Sequence, residues 1–247
     1  MSNRQKLKIF TPIFFAILLA WLITSKFKIY TRPNGRAFVI LKTHTPKQYD
    51  LVVYQNPLNN TTQISRVIAV PGDTVQLIEG IAFINGKKEK NWQKRSFIFS
   101  IFFDKKSIKK KFEPFKIAPN TYKTTFEFIS KQNDNKFIFN KLVVNKKFYQ
   151  PEVFPFSFRY RWNSYFMKKF VCPYRKMKIK NTLKNKSLYR FLLEKYEAVN
   201  QNGDFFVFRN NYYFLLNDER YNSNDCRTLA PIPQNLIEGK ILFYLKK

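Results

Sequence analysis

Short apolar segments separated by polar stretches and turn signals run through much of the chain, and they predict strands. Residues 38–41 (Phe-Val-Ile-Leu), 50–54, 66–70, 75–78 and 81–84 are the clearest in the first third. Pro71-Gly72-Asp73 reads as a tight turn between two of them. Asn85-Gly86 reads as a hairpin turn, because both residue types tolerate positive φ. Residues 183–197 change period: Leu188, Phe191, Leu192 and Tyr196 fall on one helical face, with Lys184, Lys186, Arg190 and Glu194 elsewhere. Residues 205–208 and 212–216 then predict two paired strands around Arg209-Asn210-Asn211, and 241–245 a closing strand. Between 90 and about 180 periodicity is weak and prolines recur, so an irregular β-containing insert is expected there.

A different pattern precedes the strands. Lys8 and Lys26 bracket an uncharged, strongly apolar run, 9–25, with Pro12 at its start and Trp21 toward its far end. A spanning helix needs about 20 apolar residues and tolerates slightly fewer. Proline costs least in a first helical turn, and tryptophan favours the membrane interface. No small-x-small cleavage site follows, so the run reads as an uncleaved anchor rather than a removed signal peptide. Residues 1–28 form the tail and anchor, and 29–247 the domain behind it. Basic residues flank both ends, which leaves orientation undecided by charge.

Composition changes this picture little. The formal net charge is +29, but the basic residues are scattered, and no zinc finger, ribonucleoprotein motif or basic zipper is present. Enrichment in Lys, Asn, Phe, Ile and Tyr together matches a bias toward A/T-rich codons. With an apolar anchor present, anionic lipid headgroups suit the charge better than nucleic acid. Two cysteines, Cys172 and Cys226, and one histidine, His44, offer no metal-ligand spacing. Two buried or half-buried thiols are the preferred reading, a disulfide the alternative.

Two segments carry a resemblance. The first is 64–75, Ile-Ser-Arg-Val-Ile-Ala-Val-Pro-Gly-Asp-Thr-Val, followed by the strand ending Ile84-Asn85-Gly86-Lys87. The second is 217–227, Asn-Asp-Glu-Arg-Tyr-Asn-Ser-Asn-Asp-Cys-Arg, followed by Pro231, Pro233 and Ile237-Glu238-Gly239. Residues 49–54 form a weaker third box, and 171–197 with Tyr212-Tyr213 resemble the longer Bacteroidetes-type members of the same family. Together they resemble the type I signal peptidases, with several boxes in the family's order at both ends of the chain. The resemblance implies a mainly β domain with an irregular insert and one short helix, behind a single transmembrane helix. It implies the bacterial inner membrane, with the domain on the extracytoplasmic side, preprotein signal peptides as substrate, and no metal or cofactor.

The resemblance also implies a serine nucleophile whose proton is taken by a neutral lysine, a Ser-Lys variant of the serine-base arrangement. Lysine serves as a base only when burial lowers its pKa. In this chain the lysine position holds Ser65. With Pro33 on the family's first proline, Arg36 occupies the nucleophile position; with the motif partly deleted, the serine is simply missing. No serine lies between Ser25 and Ser65; Thr31, Thr43 and Thr45 lie there without the motif. Ser223 matches the serine that hydrogen-bonds the family's lysine, and Arg66, Asp225 and Arg227 match its supporting ion-pair cluster. Pro71, Gly72 and Asp73 match its turn. Asn217 and Glu219 stand where the family has Gly and Asn. His44 reads as a surface or loop residue. The expectation is a family member without the catalytic pair, binding preproteins, the translocon or an active peptidase. A working endopeptidase with another nucleophile and a basic lipid or nucleic-acid binder are the alternatives.

Overall fold

The computed structural model describes residues 21, 24–31, 37–78, 80–90, 97–104, 115–118, 121–128, 150–197, 203–220 and 222–245. Most of the predicted anchor, and Arg36, lie outside this set. Of 9–25, Trp21, Thr24 and Ser25 are described, all helical. Among the described residues no helix is long and apolar enough to cross a membrane.

The architecture is mainly β. The largest sheet contains β1 (Phe27–Thr31), β2 (Ala37–Lys42), β3 (Leu51–Gln55), β4 (Thr62–Ala69), β14 (Tyr212–Leu216), β15 (Ile232–Pro233) and β16 (Ile237–Leu245). Its order is β1-β2-β16-β3-β4-β14-β15, so the end of the chain inserts between two early strands. A second sheet, β11-β5-β6-β7, is built from β5 (Thr74–Ile78), β6 (Ile81–Ile84), β7 (Lys87–Lys88) and β11 (Met167–Val171). Two small sheets complete the set: β8 (Phe97–Asp104), β9 (Phe115–Ala118) and β10 (Thr121–Phe128) in one, β12 (Lys178–Lys180) with β13 (Phe205–Val207) in the other.

The predicted early strands all form, with small shifts at their ends. Asn85 and Gly86 turn β6 into β7 with φ of 51° and 80°, the paired positive values a two-residue hairpin needs. The helix α1 (Leu183–Leu192) starts where Thr182 accepts a hydrogen bond from the Asn185 amide, and a π-helical turn, Leu193–Glu197, continues it. Three expectations change. Strands β13 and β14 do not pair with each other; β13 pairs with β12, and β14 with β4 and β15. The closing strand starts four residues earlier than expected, at Ile237 rather than 241. The end of the expected irregular, β-containing insert packs into the core: Phe154, Trp162, Met167, Phe170 and Cys172 are buried in the main cluster, and β11 pairs with β5.

That cluster lies where β3, β4, β14, β5, β6, β11 and α1 meet, with edge-on ring contacts among Phe154, Trp162, Phe170 and Phe214. Successive residues of β3 serve both faces of its sheet. Val52 and Tyr54 join the main core, while Val53 packs with Phe38 and Ile40 in a second cluster. Gly239 sits where β16 passes β2. A Cβ there would lie 2.4 Å from the Leu41 carbonyl oxygen, so only glycine allows that approach.

Candidate functional site

Strands β4 and β14 are neighbours, and their antiparallel register joins the two resembling segments. Leu216 stands opposite Arg66, so the next residue of each strand's extension, Asn217, comes level with Ser65. The loop from 217 to 225 then folds back and ends in the short helix α2 (Cys226–Leu229).

Ser65 is fully buried on β4. Its hydroxyl donates to Asn217 Oδ1 at 2.7 Å and lies 3.3 Å from the Tyr54 hydroxyl. Tyr54 donates in turn to Gln63 Oε1 at 2.9 Å. Burial pushes the Tyr54 phenol well above the ordinary tyrosine range, so it stays protonated. Neither partner is a base: an amide oxygen holds a proton poorly, and the oxygen of a neutral phenol accepts one no better. Among the described residues, Ser65 meets no lysine, histidine or carboxylate.

The loop beyond β14 is held by charge. Asp225 caps α2, accepting from the Arg227 amide, and grips the Arg227 guanidinium at 2.9 and 2.7 Å. Its second oxygen also accepts from the Asn217 amide at 2.9 Å. Arg227 then donates to the carbonyls of Arg220 and Asn222. Arg66 is not part of that pair. It forms a bidentate bridge to Asp218 at 2.7 and 2.6 Å and donates to the Tyr49 carbonyl. The two-nitrogen forks of Arg66 and Arg227 fix direction as well as distance. In a third pair, completely enclosed, Arg220 Nη2 alone donates to both Glu89 carboxylate oxygens, at 2.7 and 2.6 Å.

Sequence reasoning placed Arg66, Asp225 and Arg227 together; Asp218, Arg220 and Glu89 escaped it, although Arg220 stands inside the quoted motif. Ser223 lies in the loop, half-buried, where its carbonyl accepts from the Thr228 hydroxyl and the Asp225 amide. The turn 71–73 is organised by Asp73, whose side chain accepts from the Val70 amide and from Asn85 Nδ2. His44 lies apart, its Nδ1 hydrogen-bonded to the Ile237 carbonyl. Thr43 and Thr45 bond to each other, and Thr31 ends β1, opposite Ala37. Cys172 and Cys226 are both free and buried, and burial raises both thiols.

A family model described as signal peptidase, peptidase S26, matches residues 4–245, nearly the whole chain. The chain belongs to the signal peptidase family. Curated signal peptidase I proteins of two Rickettsia bellii strains, OSU 85-389 and RML369-C, are each 40% identical over 56 residues. That segment is 22% of this chain and 18% of each relative, so the match spans less than a fifth of their length. A crystal structure of a signal peptidase I from Enterococcus faecalis V583 aligns over 80% of this chain and 97% of its own, at 16% identity and a TM-score of 0.32. In this signal peptidase family member, hydrogen bonds join Ser65, Asn217, the Asp225–Arg227 pair and the Arg220–Glu89 pair, and the Arg66–Asp218 bridge separately ties the first resembling segment to the second.

Proposed function

We propose that this signal peptidase family member is non-catalytic and serves signal-peptide processing by binding: it holds preprotein segments, the translocon or an active peptidase at the membrane. One observation carries the reading. The family's base position is Ser65, buried, with its proton committed to an amide oxygen. A serine nucleophile elsewhere would need a proton acceptor at this place, and the place offers none.

The surrounding frame supports binding rather than decay. All three arginine–carboxylate pairs are formed, two of them through two guanidinium nitrogens each. Membrane attachment is part of the proposal. The run 9–25 supplies the anchor, with the β domain on the extracytoplasmic face of a bacterial inner membrane. Leu242, Phe243, Tyr244 and Leu245 at the end of β16 expose 40–53% of their surface, beside β2, which suits contact with lipid or with an apolar signal segment.

The test is binding without turnover. A fluorescently labelled signal peptide is titrated with the detergent-solubilised chain, and its mass is checked after the titration. Saturable anisotropy with intact peptide is the expected result. A cleaved peptide would replace this reading with that of a working endopeptidase. No binding of signal peptide, translocon or peptidase would remove the role altogether.

A further inference from the structure

The side chain facing Ser65 comes from the loop just past β14: Asn217, whose Oδ1 accepts the Ser65 hydroxyl proton at 2.7 Å. We propose that Asn217 is a plug: its carboxamide occupies the space into which any longer side chain at 65 would extend, so that Ser65 and Asn217 are one coupled pair. This deepens the non-catalytic reading, on which it rests.

The argument starts from direction. The Ser65 side chain is fully buried, and its hydroxyl points at Asn217 Oδ1, 2.7 Å away. Atoms added beyond that hydroxyl would have to pass through the carboxamide. The carboxamide is also fixed. Its Nδ2 donates at 3.2 Å to the carbonyls of Asn222 and of Asn224, the two neighbours of Ser223. Those two acceptors determine which end of the amide is nitrogen, and therefore place the oxygen against Ser65. The Asn217 backbone amide is held by Asp225 at 2.9 Å. Swinging the side chain away would break its bonds to the carbonyls on either side of Ser223.

Backbone conformation gives the second observation. The residues with left-handed φ among those described include Asn60, Asn85 and Ala230, but not Asn217. A glycine at 217 is therefore not demanded by φ; its effect would be to remove a side chain. Exchanging asparagine for glycine there trades a clamp for an opening beside position 65. The opposite exchange closes the site, and turns a would-be proton acceptor's place into a polar staple between β4 and the 217–225 loop.

The pair is tested by coupling in the full chain. Thermal unfolding is compared for Ser65→Met, Asn217→Gly and the double variant; methionine supplies most of a lysine's length without its charge. Overpacking lowers the Tm of Ser65→Met by roughly 5 °C or more. The double variant recovers at least half of that fall, so the two changes are not additive. In Ser65→Lys with Asn217→Gly, the new ε-amine titrates below the ordinary lysine range, followed by pH-dependent amine labelling. Additive Tm changes, or a double variant as unstable as the sum, would overturn the proposal. Should Ser65→Met not fold at all, a folded double variant supports the plug and an unfolded one overturns it. None of these readouts depends on cleavage by the unmodified chain, which is what would defeat the non-catalytic reading.

Discussion

Single residues at this site are defined by what surrounds them. Gly239 belongs to a motif visible in the sequence, but its reason is visible only in space: β16 runs so close to β2 that a methyl group meets the Leu41 carbonyl. Gly239→Ala should cost about 1–3 kcal/mol, measured by chemical unfolding, as overpacking does where backbone must shift. The two cysteines show the reverse. Their separation in sequence left pairing open, and burial decides that they are free thiols. Raised thiol pKa values keep them protonated, and protonated thiols are poor nucleophiles. Folded protein at pH 8 should leave both cysteines unmodified by a thiol reagent, while denatured protein reacts at both. Rapid labelling of either in the folded state would contradict the buried placement.

At the scale of elements, the strands were legible wherever a short apolar run met a turn signal. Residues 81–84 followed by Asn85-Gly86 needed no tertiary information, and the 183–197 face announced a helix. Pairing was not legible. Strand β13 was assigned to β14 because only three residues separate predicted ends, yet β13 joins β12, whose residues sit in a stretch of weak periodicity. The charged network was hidden for a related reason. Glu89 and Arg220 lie 131 positions apart, and Arg66 and Asp218 lie 152 apart. Nothing local marks Glu89 as buried. Its removal is the sharpest test of the element scale: Glu89→Ala strands Arg220 in an enclosed place. Breaking such a pair from one side should cost about 3–5 kcal/mol. By contrast Arg190 on α1 and Glu194 in the π-helical turn after it, both exposed, should contribute little more than about 0.5 kcal/mol.

The whole molecule ties a mainly β frame to an aromatic core. Several phenols in that core are protonated by force of burial. Burial raises Tyr54, Tyr189, Tyr196 and Tyr212 above the ordinary range, and the hydrogen bond from Tyr212 to the buried Glu197 carboxylate raises it further. In the unfolded chain these groups ionise near pH 10. Because the folded values are higher, the stability they contribute is full below about pH 10 and is lost as pH rises beyond it. Absorbance titration should therefore show part of the tyrosine complement silent until the protein unfolds, and unfolding free energy should fall above that pH. Tyrosines that all titrate together while the fold persists would contradict the core described here. The family frame was readable from the two motif segments; Asn217 as the partner of Ser65 was not, because only the β4–β14 register brings them level.

The central claim is that this frame no longer cuts. Cleavage of a fluorogenic signal-peptide substrate by the solubilised full chain tests it most directly, beside a variant carrying Arg36→Ser, Ser65→Lys and Asn217→Gly. The account predicts no cleavage by the unmodified chain, and slight cleavage by the triple variant if its rebuilt groups meet. Turnover by the unmodified chain would contradict the account, and would send the search for a nucleophile to Thr31, Thr43, Ser65 and His44.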